Sequence, residues 1–350
     1  MQKLFHREKT LIGLDINNTD IKVMAIDQQK WTVLGYGAID VDSTKMKKSL
    51  EEDPEYLSLS VNKLLTEKII GELPSDHAIV SLPTSRTYSR TFTIPASSEK
   101  SLQEAVELEV NQYVPIPLSL LYIDYEIIER TKESLTITMS AVPQITIDNI
   151  LQACDESGLV VNAIEPGINS VARLLKETED GSLVTIIVDI GPSNTDIAVL
   201  DGSIRVTGGI TTGGNTFTLD IAKHLGITLE NAHQFKVLNG LNPGPRQKKI
   251  TTALEPSLKR ITSETRRVMR YYNERVSNGE KIEQLLIVGG GSNVPGIGEY
   301  FTNDLVMAAR VASPWQKLDF GSLAQPTKQF RPRYITVAGL SSISLEEIWQ

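Results

Sequence analysis

The sequence predicts an α/β chain of two similarly folded halves that face each other across a polar cleft. Three observations carry this. Near the start, Asp15-Ile16-Asn17-Asn18-Thr19-Asp20 separates two β-like runs, residues 11–14 and 21–26. In the middle, Asp189-Ile190-Gly191-Pro192-Ser193-Asn194-Thr195-Asp196 separates residues 184–188 from 197–200. Further on, a strand-like run at 284–288 enters Gly289-Gly290-Gly291-Ser292. A strand, polar turn, strand unit that recurs at two distant points indicates a duplicated fold with its two turns opposed.

The chemistry of such turns is specific. Backbone N–H groups exposed in a tight Gly/Asn/Ser turn form a concave anion site, and small residues let phosphate oxygens approach. The carboxylates of Asp15 and Asp189, at the ends of the incoming strands, would repel phosphate unless a divalent cation such as Mg²⁺ lay between, held through water. Taken singly, each hairpin is equally an ordinary turn of the usual turn residues. Their pairing points to a polyphosphate.

The elements follow in order. After the first hairpin comes a strand at 31–40, then a helix at 54–71 with Leu57, Val61, Leu64, Leu65 and Ile69 on one face. Residues 73–76 mark a boundary. Strands are expected at 78–82 and 90–94, and Ser101 with Glu104 forms a capping box for a helix ending before Pro115. Strands at 123–129 and 135–142 and a helix at 146–157 complete a unit of strand, helix, strand, strand, helix, read as an α+β insertion. The second half opens with a helix at 167–176. Gly208-Gly209 and Gly213-Gly214 punctuate a strand and begin a helix at 215–225, followed by a helix at 229–238. Residues 239–249, rich in Gly, Pro and basic residues, read as a mobile loop, and a long helix is expected at 255–277. Its Lys259, Arg260, Arg266, Arg267, Arg270 and Arg275 are interrupted by Glu255, Glu264 and Glu274, as on a solvated helix face.

Composition narrows the function. The chain has 350 residues, 40% hydrophobic and 22% charged, enough for two cored domains, and its net charge of −8 argues against a general nucleic-acid binder. No uninterrupted apolar run is long enough to span a bilayer, and residues 1–9 lack the apolar core of a secretory signal. The lone Cys154 permits no internal disulfide and fits a reducing cytoplasm. His6, His77, His224 and His233 show no metal-ligand spacing.

The order of hairpin, insertion, connecting helix, second hairpin, Gly-Gly helix and GGGS turn resembles the actin and sugar-kinase ATPase superfamily. Within it, the chain is similar to PilM, the family of FtsA-like actin homologues of the type IV pilus inner-membrane platform. The resemblance covers nearly the entire chain and is most specific at 107–125 (ELEVNQYVPIPLSLLYIDY), 212–236, 263–272 and 336–340. It implies a two-lobed actin-like ATPase fold with an inserted α+β subdomain in the first lobe. Its parts would be 8–76, 77–163 (the insertion) and 164–182, then 183–214, 215–280 and 281–325, with 326–350 returning to the first lobe. ATP and Mg²⁺ would occupy the cleft, and the cytoplasmic N-terminal tail of PilN would dock on the first lobe near the insertion, with the pilus motor ATPase or other platform proteins as further partners.

Carried over by position, Asp15 and Asp189 would order Mg²⁺-bound water, while Asn17, Asn18 and Thr19 with Gly191, Ser193 and Asn194 would wrap the phosphates. Lys22 matches the family's lysine after the first turn, either at the phosphate or outward on its strand. Gly213, Gly214, Gly289, Gly290, Gly291 and Ser292 would border the sugar and base, with Lys236 beside the base. Glu165 resembles the glutamate that positions attacking water in DnaK-type chaperones. Three departures weigh against tight binding and turnover. Asn17 and Asn18 stand where Gly and a small residue are usual, His233 replaces a glutamate that would accept from the ribose, and Pro192 removes an N–H donor.

The resulting expectation is a cytoplasmic scaffold, peripheral at the membrane through its partner and with weak ATPase activity at most. An FtsA-like division filament would be expected to carry a membrane-binding amphipathic helix, whereas residues 343–350 are short and acidic. A small-molecule kinase would need an acceptor site, for which the insertion offers only Asp124. The peptide groove is expected at 78–82 and at 114–125, where Pro115 and Pro117 hold an extended segment.

Overall fold

In a computed structural model, residues 10–277 and 279–343 are described, so the N-terminal basic residues 1–9 and the acidic tail 344–350 lie outside. Alternating apolar residues in β1 (Ile12–Ile16), β2 (Asp20–Asp27) and β3 (Thr32–Asp40) build an antiparallel meander. Helices α1 (Ser43–Glu51) and α2 (Glu55–Glu67) follow, then β4 (Ile69–Gly71) and β5 (His77–Leu82). Next come β6 (Tyr88–Pro95), α3 (Leu102–Tyr113), β7 (Leu121–Arg130), β8 (Ser134–Pro143), α4 (Gln144–Glu156), β9 (Val160–Pro166) and α5 (Gly167–Thr178).

The second lobe begins with the meander β10 (Thr185–Ile190), β11 (Thr195–Asp201) and β12 (Ser203–Ile210). It continues through α6 (Gly214–Leu225), α7 (Leu229–Leu238), α8 (Gln247–Arg275), β13 (Gln284–Val288), α9 (Ile297–Leu305) and β14 (Ala309–Val311), and α10 (Ile335–Ser341) returns to the first lobe.

The duplication is visible in the sheets. The first is ordered β4-β3-β2-β1-β5-β9 and the second β12-β11-β10-β13-β14. In both, an antiparallel meander is extended from its first strand by two parallel strands, β5 and β9 or β13 and β14. Helices α5 and α10 are buried between the sheets, where Val171, Leu174, Val337 and Leu340 meet Met24 and Ile79 on one side and Ile187 and Leu286 on the other. The outer faces are covered by α1, α2 and α4 (Leu50, Val61, Ile150) and by α6, α8 and α9 (Phe217, Leu258, Phe301).

Several expectations are corrected. The insertion is narrower than 77–163, because β5, β9 and α4 belong to the first lobe. What remains is the three-stranded sheet β6-β8-β7 with α3 packed on it through Val106 and Val110. The capping box does not form, since Ser101 Oγ donates instead to the Ser98 carbonyl. Helix α1 escaped notice because its apolar face is only Met46 and Leu50. It is set by Asp42, whose carboxylate accepts from the N–H groups of Thr44 and Lys45. Helix α8 starts at Gln247, inside the expected loop, and so carries Pro256, which lacks an N–H, in its interior and not in its first turn.

Candidate functional site

The two hairpins close at equivalent registers. In the first, Ile16 faces Ile21 and Asp15 faces Lys22; in the second, Ile190 faces Thr195 and Asp189 faces Asp196. Residues directly opposite in an antiparallel pair share one sheet face. The same structural position is therefore a lysine in one lobe and an aspartate in the other.

Lys22 points inward and is buried, which corrects the outward alternative. Its Nζ donates to Asp15 Oδ2 and Asp20 Oδ1, each at 2.8 Å. Asp15 also accepts from Asn17 Nδ2 at 2.7 Å and Ser81 Oγ at 2.6 Å. Asp20 accepts from Arg333 at 3.0 Å, and Arg333 reaches Asp40 at 2.6 Å. Burial alone would raise the Asp20 pKa, but Lys22 and then Arg333 outweigh it and hold the carboxyl below its usual range. Burial likewise disfavours the Lys22 charge, and Asp15 and Asp20 reverse that, raising its pKa. Neither Asn17 nor Asn18 needs a positive φ, so asparagine's tolerance for that region is not used. The buried Asn18 Oδ1 and Thr19 Oγ1 have no hydrogen-bond partner.

The second hairpin has no internal cation. Burial, then Asp196, then Asp15 raise the Asp189 pKa to about 7, against a smaller opposing effect of Lys22. Burial raises Asp196 to about 7, against the opposing effect of a hydrogen bond from Thr84 and with Asp15 adding to the rise. The turn itself is pinned. Gly191 N–H donates to Asn194 O at 2.9 Å, and the first turn of α6 donates to it, Gly214 N–H to Gly191 O and Asn215 N–H to Pro192 O. A Cβ at Gly213 would lie 2.5 Å from Gly191 O, so only glycine permits this contact. Gly289, at φ +80°, passes so close to Asp189 that a Cβ would sit 2.2 Å from its Oδ1.

These parts line one cleft of about 500 Å³ between the lobes, bridged at one edge by Asn194 Nδ2 donating to Ser85 Oγ at 3.2 Å. Lys236 Nζ, also at the cleft, donates to Gly214 O at 2.9 Å and Thr218 Oγ1 at 2.8 Å, and burial pulls its pKa down to about 8. Burial, then the Lys236 charge, lowers the pKa of His233 beside it. Two second-lobe carboxylates with no ion-pair partner among the described residues, unpartnered polar atoms in the first lobe and a glycine floor fit a magnesium-bound nucleotide.

Residues 13–344 match the family described as type IV pilus assembly protein PilM. The chain belongs to the PilM family. Its fold is actin-like: the solved structure of a PilM-PilN type IV pilus biogenesis complex aligns with a TM-score of 0.77 at 19% identity, over 95% of this chain and 97% of that one. MreB 5 of Spiroplasma citri bound to AMPPNP aligns with a TM-score of 0.55 at 13% identity, over 94% of each chain. The ethanolamine utilization protein EutJ of Escherichia coli (strain K12) is 29% identical over 160 residues, 45% of this chain and 49% of EutJ. The chain thus spans about half of that curated relative's length.

Of the residues expected at the site, Asp15, Asn17, Asn18, Thr19, Lys22, Asp189, Gly191, Ser193, Asn194, Gly214, Lys236, Gly289, Gly290 and Gly291 line the cleft. Gly213 and Ser292 support it from behind, Ser292 Oγ donating to Gly289 O at 2.7 Å. Glu165 does not join them. Its two oxygens accept from Arg173 at 2.9 and 2.8 Å, so its carboxylate ties β9 to α5. Sequence reasoning missed Asp196, although it closes the second motif, and missed Arg333 and Phe330, which arrive at the cleft from the far end of the chain.

Proposed function

We propose that the chain is a scaffold of the type IV pilus platform that binds ATP with Mg²⁺ between its lobes and docks the cytoplasmic tail of a PilN-like membrane protein. The observation that carries the nucleotide reading is the asymmetry of the hairpins: Asp15 faces Lys22 and is paired with it, whereas Asp189 faces Asp196 and neither has an ion-pair partner among the described residues. Mg²⁺, when bound, would neutralise those carboxylates and polarise the phosphates. The chain's own residues bind and orient. The Asn17–Thr19 and Gly191–Asn194 turns would hold the phosphates, the Thr19 hydroxyl would gain a partner, and Gly214 and Gly289–Gly291 would give the sugar and base a backbone surface. Glu165 is occupied by Arg173, so the expected base does not reach the cleft, which supports slow or absent hydrolysis.

The partner reading rests on the family and on exposed apolar residues of the insertion and of α4. Leu120 is 57% and Tyr122 48% exposed, and Leu108, Tyr113 and Ile145 are exposed as well. Strand β7, which Leu120 precedes and which carries Tyr122, is an edge strand of its sheet, able to pair with an extended peptide. Residues 78–82 cannot line the groove, because β5 is enclosed between β1 and β9. Fluorescence anisotropy with a labelled PilN-like tail peptide tests this. Leu120→Asp should weaken peptide binding at least tenfold while leaving Mg-ATP affinity intact, and unchanged peptide affinity would refute the assignment.

A further inference from the structure

Phe330 lies on the strap that leads into α10, lines the cleft and is 51% exposed. The strap is pinned from both lobes. On the second-lobe side, Asn293 Nδ2 donates to Gln329 O at 2.6 Å and to Gly290 O at 3.2 Å. On the first-lobe side, Arg333 is held by Asp20 and Asp40. Locally, Phe330 N–H donates to Thr327 O at 2.8 Å and Arg333 N–H donates to Phe330 O at 3.1 Å. The Arg333 guanidinium lies over the ring, 5.7 Å from its centroid, so the aromatic group has a fixed backing within the protein.

Beside this strap lies a surface without side chains. Gly290 and Gly291 line the same cleft, and a Cβ at Gly290 would come 3.6 Å from Arg333 Cγ. A backbone floor next to a backed aromatic ring suits a flat heterocycle, which gains from stacking whatever its hydrogen-bonding edge.

We propose that Phe330 stacks on the base of the bound nucleotide and thereby selects nucleoside triphosphates, purines above pyrimidines, over inorganic polyphosphate. This rests on the cleft binding a nucleotide. The phosphates would be held by the hairpin turns, while Phe330 acts only on the base, so the two contributions separate by ligand.

The test is titration calorimetry of the full chain and of Phe330→Ala and Phe330→Trp with Mg-ATP, Mg-CTP and Mg-tripolyphosphate, with circular dichroism melts to verify folding. Phe330→Ala should lose about 5-fold to 150-fold in ATP affinity, the range expected for removing one aromatic stacking platform. Its tripolyphosphate affinity should be unchanged, CTP should lose less than ATP, and Phe330→Trp should retain ATP binding. Unchanged ATP affinity in Phe330→Ala, or an equal loss for ATP and tripolyphosphate, would overturn the stacking role while leaving the nucleotide site standing. Binding of none of the three ligands by the wild type would overturn the site and the stacking together.

Discussion

Replacing Lys22 with methionine removes the lysine contact of two buried carboxylates while keeping an unbranched side chain one atom shorter. Breaking a buried ion pair by deleting one partner costs about 3–5 kcal/mol, because the remaining charge stays out of water. Here Asp20 retains Arg333, and Asp15 retains only the neutral donors Asn17 and Ser81. The loss should therefore fall near the lower end, about 3 kcal/mol, or roughly 6–12 °C in Tm for a lobe-sized cooperative unit. The sign with pH is fixed by Asp20. In the wild type its carboxyl is held below the usual value, so its contribution is complete above that value and lost as pH falls through the folded one. Without Lys22, burial is opposed by Arg333 alone, so the folded carboxyl moves upward, and the penalty grows as pH rises from the unfolded value of about 3.9 toward the new folded one. Urea unfolding of both proteins, followed by circular dichroism, should give the widest gap at pH 8 and a smaller one at pH 5. A gap below about 1 kcal/mol, or one constant with pH, would refute Lys22 as the counter-charge of this network.

Asp189 and Asp196, both raised to about 7, make the ligand-free chain lose stability as pH rises from about 4 to about 7. Asp189→Asn should thus raise the ligand-free Tm at pH 8 while shrinking the Tm gain from Mg-ATP, both read by differential scanning fluorimetry. Gly213→Ala drives a Cβ into the Gly191 carbonyl and should cost about 1–3 kcal/mol and weaken nucleotide binding, measured by urea titration and calorimetry. Glu165→Gln removes the charge from its Arg173 pair and should cost about 1–3 kcal/mol in urea unfolding with unchanged ATP affinity. A several-fold affinity loss there would restore a role for Glu165 at the nucleotide.

The hairpins and the glycine turn were legible because their chemistry is local: Asp, Asn, Gly and Pro between alternating apolar residues mark a turn and its flanking strands at once. The facing of Asp189 and Asp196 was also latent there, since each lies two residues outside the four-residue turn. What stayed hidden was settled by distant contacts. Strand β9 has its place through parallel pairing with β5, across the whole insertion, so the expected insertion took in α4 and residues 160–163 of β9. The direction of Lys22 depends on register, and the clamp on Asp20 comes from Arg333, 313 residues away. Glu165 sits where the family resemblance put it, beside the connecting helix, but Arg173 on that helix takes its carboxylate.

Titration of the wild-type chain and Asp189→Asn with ATP, in the presence and absence of Mg²⁺, tests the central assignment most directly. Saturable one-to-one binding to the wild type that requires Mg²⁺, and is lost or strongly weakened in Asp189→Asn while the circular dichroism spectrum is unchanged, is the expected result. ATP affinity that is equal in the two proteins, or indifferent to Mg²⁺, would contradict it.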